Sequence, residues 1–122
     1  MKFLWTSIYV NNLEESIAFY TDLLDIKVLR RFVAESGKEI AFLGNDVTDE
    51  TLVELLEDTY IRDVKHSNYI SIGFAIDSVD KMLEIIKSKD IPVNSGPVET
   101  PGAKFFTIKD PNGLSIQFFQ GK

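Results

Sequence analysis

Two hydrophobic rhythms alternate along the chain, and they occur twice in the same order. Ile8 and Val10 alternate with Ser7 and Tyr9, the two-residue period of a strand with one buried face. Asn12 then stands where a helix N-cap belongs, with Glu15 at the capping-box position. Leu13, Ile17, Tyr20 and Leu24 recur at helical spacing, which predicts one apolar face on a helix ending near Leu24. Val28 to Ala34 and Glu39 to Leu43 are β-rich runs joined by a Ser36-Gly37 turn, with a short loop around Asn45.

The plan then returns. Ile70, Ile72, Phe74 and Ile76 alternate with Ser71, Gly73 and Ala75, and Ser78 can cap a helix carrying Val79, Met82, Leu83 and Ile86. The stretch from Ile8 to Leu13 superposes on Phe74 to Val79, strand on strand and cap on cap. Lys104 to Lys109 and Leu114 to Phe119 form a closing hairpin, because Asp110-Pro111-Asn112-Gly113 has Pro and Gly where a type I turn wants them. Thr48 to Asp58 reads equally as strand or capped helix, since Leu52, Val53, Leu55 and Leu56 also fit a helical face.

A chain of 122 residues fits one domain with one core, and its 44% hydrophobic and 26% charged residues are ordinary for a globular protein. Cysteine is absent, which excludes disulfides, a thiolate nucleophile and a cysteine zinc site. No apolar leader or membrane-length stretch stands out, so a cytoplasmic protein is expected. The net charge of −6 argues against phosphate-backbone binding, hence against nucleic acid, and suits a neutral or cationic ligand. No phosphate-cradling loop, nucleophile elbow or His-paired nucleophile is present.

The run Asn12-Leu13-Glu14-Glu15-Ser16-Ile17-Ala18-Phe19-Tyr20 with Leu23-Leu24, together with Asp110-Pro111-Asn112-Gly113, resembles the first-helix and final-hairpin signatures of the vicinal-oxygen-chelate superfamily. That is the superfamily of glyoxalases, bleomycin resistance proteins and extradiol dioxygenases. The resemblance spans nearly the whole chain. It implies an α+β domain over residues 1–122, built from two βαβββ modules that form a U-shaped mixed-sheet cavity. Module one would span 1–58 and module two 68–122, with 59–67 as linker and Thr51 to Glu57 as the fourth strand. It also implies a homodimer.

Metal enzymes of that family draw ligands from the first and last strands of each module, usually His or Gln on the first and Glu on the last. The matching positions here are Trp5 and Ser71, then Glu54 and Gln117. An indole offers no lone pair, a serine is a short, weak ligand and a glutamine gives only a neutral carbonyl, so no resident metal or other cofactor is expected. The only histidine, His66, falls in the linker, where a solvated loop residue is expected.

Without a metal, Trp5, Tyr9 and Phe119 become flat walls and Ser7, Glu54, Ser71 and Gln117 polar points, a set suited to an aromatic or cationic small molecule. The first reading is therefore a binding protein that sequesters or senses such a ligand, as drug-sequestering members of the family do. The bland alternative is that Trp5 and Tyr9 fill a disused cavity. Two enzymatic readings stand beside it: a metal-independent lyase or isomerase with Glu54, its pKa raised beside Trp5, as general base, and a metal-dependent glyoxalase-like enzyme. The charge run Asp46 to Glu50 and the pair Arg30-Arg31 are expected to be solvated loop and strand-edge residues.

Overall fold

Asn12 turns the first strand into a helix. Its backbone is extended, and its side chain accepts the Glu15 amide at 2.9 Å, satisfying one of the N–H groups the first turn leaves free. In the computed structural model, which describes residues 1–122, this joins strand β1 (Thr6–Tyr9) to helix α1 (Leu13–Leu24). Three strands follow: β2 (Lys27–Val33), β3 (Glu39–Asn45) and β4 (Glu50–Glu57). They form a sheet of order β1-β4-β3-β2, with β1 parallel to β4 and the other pairs antiparallel.

The segment 48–58, ambiguous by pattern, is strand from Glu50 onward. Between β1 and β3 its backbone finds partners on both sides, and Val53 and Leu55 turn inward while Glu54 turns outward. The buried helical face differs from the expected one. Leu13, Ser16, Tyr20 and Leu23 are buried, whereas Ile17 and Leu24 are only half-buried. The buried face is therefore turned toward Ser16, which is fully buried.

The second half repeats the arrangement with β5 (Ser71–Ala75), α2 (Val79–Ser88), β6 (Ser95–Glu99), β7 (Ala103–Lys109) and β8 (Ser115–Gly121), in sheet order β5-β8-β7-β6. Strand β6 shows no apolar alternation and all its residues are exposed, so only the family resemblance supplied it. Phe106 and Phe118, with ring centroids 5.2 Å apart, are fully buried among Ile108, Ile116 and Ile86. Each such side chain contributes about 1.5–3 kcal/mol by leaving water. The closing turn has the expected chemistry: the Gly113 amide donates to the Asp110 carbonyl at 3.1 Å, and Gly113 takes φ +86. The buried Asp110 carboxylate accepts the Asn112 and Leu114 amides at 2.8 and 2.9 Å.

The fold is thus α+β, two four-stranded mixed sheets each carrying one helix. Met1–Val64 and Lys65–Lys122 are its two compact units. Asn11 clamps the end of the first by donating to the Val64 carbonyl at 2.9 Å and accepting its amide at 2.6 Å. His66, expected in solvent, is half-buried instead, because its amide donates to the Asn112 carbonyl at 3.0 Å and so holds it against the closing turn. No helix is long and apolar enough to cross a membrane.

Candidate binding site

Side chains on β1 and β4 alternate, and Ile8, Val53 and Leu55 take the buried face on which α1 packs. Their neighbours Ser7, Tyr9 and Glu54 consequently share the opposite face. Register then carries one row across the sheet: Ser7 opposes Glu54, Glu54 opposes Phe42, and Phe42 opposes Arg30. The Ser7 hydroxyl donates to Glu54 Oε1 at 2.6 Å. Trp5, one residue before β1, meets Phe42 edge-on with ring centroids 4.9 Å apart at 74°. Such a pair contributes about 0.5–1.5 kcal/mol beyond its buried area.

Two cations lie on these rings. The Arg30 guanidinium carbon sits 4.8 Å from the Phe32 centroid and 6.0 Å from that of Phe42. Lys38 Nζ donates to the Tyr9 hydroxyl at 3.0 Å, and that hydrogen bond holds the ammonium pKa above its ordinary value. Arg30 reaches this face through a bulge. The β2–β3 register shifts between Val28 and Arg30, so Val28 pairs with Leu43 while Arg30, not Leu29, pairs with Phe42. Arg31 consequently takes the other face, where it pairs with Glu14 of α1. The two arginines, read together in sequence as solvated residues, therefore have separate partners.

Trp5 lines two pockets and fills neither. One, of about 400 Å³, lies between Lys2–Leu4 and Thr48–Thr51. The other, of about 330 Å³, is bounded by Trp5, Leu29, Arg30, Phe42, Asp49 and Thr51. Glu54, Ser7 and Tyr9 flank this region without lining either pocket. Sequence reasoning missed Arg30, Phe42 and Asp49. Phe42 was open to inference from its alternation with Ala41 and Leu43, whereas the bulge behind Arg30 leaves no mark in the pattern.

In the second unit the equivalent row runs Gly73, Gln117, Thr107, Ser95. Gly73 opposes Gln117 across a parallel pair as Ser7 opposes Glu54, so Glu54 and Gln117 hold the same position in their units. This row is polar: the Thr107 hydroxyl bonds Ser95 Oγ at 2.6 Å and accepts from Asn94 at 3.1 Å. Ser71 opens β5 opposite Ser115 and is exposed. Phe119 stacks on Phe105 with centroids 6.1 Å apart.

These side chains do not fit a divalent ion. In the first unit Trp5 and Glu54 supply one carboxylate and an indole with no lone pair to give, and in the second Ser71 and Gln117 supply one hydroxyl and one amide oxygen. No group of three or more histidine or carboxylate side chains is drawn together elsewhere in the chain.

Comparison with known proteins agrees with the fold. Residues 2–118 match the family described as Glyoxalase/Bleomycin resistance protein/Dioxygenase superfamily. The chain is 33% identical over 128 aligned positions to the lactoylglutathione lyase of Neisseria meningitidis serogroup A, covering all of this chain and 92% of that one. The trypanothione-dependent glyoxalase I of Leishmania major superposes with a TM-score of 0.83 at 28% identity, over 98% of this chain and 86% of that one. An antibiotic binding protein of Streptomyces shares the fold at a TM-score of 0.74 and 18% identity, over 100% of this chain and 98% of that one.

Proposed function

The chain belongs to the Glyoxalase/Bleomycin resistance protein/Dioxygenase superfamily, and from that premise we propose that it is a binding protein, holding a small aromatic molecule against Trp5 and Phe42 without a metal. One observation carries this reading. An indole stands where the family resemblance puts a metal ligand, and it forms a wall with Phe42 beside a pocket of about 330 Å³, within the size range of small-molecule sites. The cationic ligand also considered from sequence is disfavoured, since Arg30 and Lys38 already lie on the Phe32, Phe42 and Tyr9 rings. A homodimer in the cytoplasm accords with the resemblance and with the absence of cysteine.

Trp5 is the only tryptophan, so its fluorescence reports on the site directly. Aromatic probes should quench it saturably and raise the melting temperature, a ligand at 100 times its Kd adding about 2.7 kcal/mol. Trp5→Ala should abolish the thermal shift. A flat response to a broad aromatic library, or one equivalent of tightly held metal in the purified protein, would sink the proposal.

A second reading is a lyase in which Glu54 moves a proton. It is favoured by 33% identity to a lactoylglutathione lyase and by the carboxylate kept at position 54. Lactoylglutathione formation that collapses in Glu54→Gln would establish it.

A further inference from the structure

We infer that the ligand of the Trp5–Phe42 pocket is an organic anion whose carboxylate, or equivalent acid group, is held by Arg30. The inference rests on the proposed aromatic site and names the chemistry of its other end. Arg30 has no anionic side chain within ion-pairing distance. Arg31, the next residue, pairs with Glu14, whereas the Arg30 guanidinium lies over the rings of Phe32 and Phe42. A guanidinium carries five donors in its own plane, and ring faces satisfy none of them. The guanidinium is exposed, and its donors can receive a carboxylate through two parallel hydrogen bonds.

Position supports the same conclusion. Arg30 and Trp5 line one pocket, so a flat ring beside the indole brings a substituent within reach of the guanidinium. The bulge between Val28 and Arg30 puts the arginine there, and bulges are features that re-aim side chains near binding sites. Asp49 also borders the pocket and Glu54 lies one register position from Phe42. Neither forms an ion pair with Arg30, and both disfavour anions that do not reach it. The pocket thus selects by the placement of the acid group as well as by its charge.

The test uses three probes of one shape on the full-length protein: 2-naphthoate, 2-naphthamide and 2-naphthylmethylammonium, titrated calorimetrically. The wild type should bind the naphthoate about tenfold or more tighter than the amide, the scale of a charge-assisted bidentate pair, and the ammonium most weakly. Arg30→Gln should erase the discrimination between naphthoate and amide, and Arg30→Lys should restore part of it, because charge returns without the planar fork. Circular dichroism of each variant confirms that the sheet is intact. Equal binding of the three probes, a preference for the ammonium, or a naphthoate preference that survives in Arg30→Gln overturns the role of Arg30 and leaves the aromatic site standing. Binding of none of the three overturns both.

Discussion

Ser7 and Glu54 face each other across the parallel pair of β1 and β4, and the serine hydroxyl donates to the carboxylate at 2.6 Å. The bond occupies one acceptor site of Glu54 and fixes its direction on the site face. Glu54→Gln keeps the shape and removes the charge. Binding of neutral aromatic probes should therefore stay within about twofold, whereas lyase turnover through Glu54 would fall by about a hundredfold or more. Ser7 is exposed, so Ser7→Ala should move stability by no more than about 0.5 kcal/mol in thermal denaturation.

Helix α1 has two caps at its start. Asn12 accepts the Glu15 amide, and Glu57 of β4 accepts the Leu13 amide at 2.6 Å. Gln120 does the same for Val79 of α2 at 2.8 Å, the equivalent bond in the second unit. Asn12→Ala should cost about 1 kcal/mol and lower Tm by a few degrees. Glu57→Gln keeps the acceptor but loses its charge at a helix N-terminus, and should cost less than Glu57→Ala. Equal losses in the two Glu57 variants would mean that the charge, and not the hydrogen bond, stabilises the helix.

Gly44 has no room for a side chain. A Cβ there would lie 1.9 Å from the Glu50 carbonyl oxygen, across the register shift in the β3–β4 hairpin. The obstacle is backbone, so the hairpin itself must move. Gly44→Ala should destabilise the protein by about 1–3 kcal/mol or more in chemical denaturation. It should also weaken aromatic probes, because Asp49 of the turn and Thr51, the β4 partner of Gly44, line the pocket.

The metal reading has a direct test. Plasma emission analysis of the purified wild type should find no stoichiometric Ni, Zn, Fe or Mn. Tight metal binding by the wild type would contradict the donor chemistry set out above.

Local physics alone determined much of this protein. Capping by Asn12 and Ser78, the two-residue alternation around Ile8 and Phe74, and the Asp110-Pro111-Asn112-Gly113 turn depend on residues near one another in the chain, so their pattern suffices. Positions 5, 54, 71 and 117 were singled out by the family resemblance, and the chemistry of their side chains follows from the sequence. Tertiary structure decided the rest. Pairing with β1 and β3 made 50–57 a strand, packing buried Ser16 and Leu23 of α1 in place of Ile17 and Leu24, and a bulge put Arg30 instead of Leu29 opposite Phe42. Each outcome is set by contact with a neighbour distant in sequence, and a one-residue slip in pairing reverses the face on which a side chain lands.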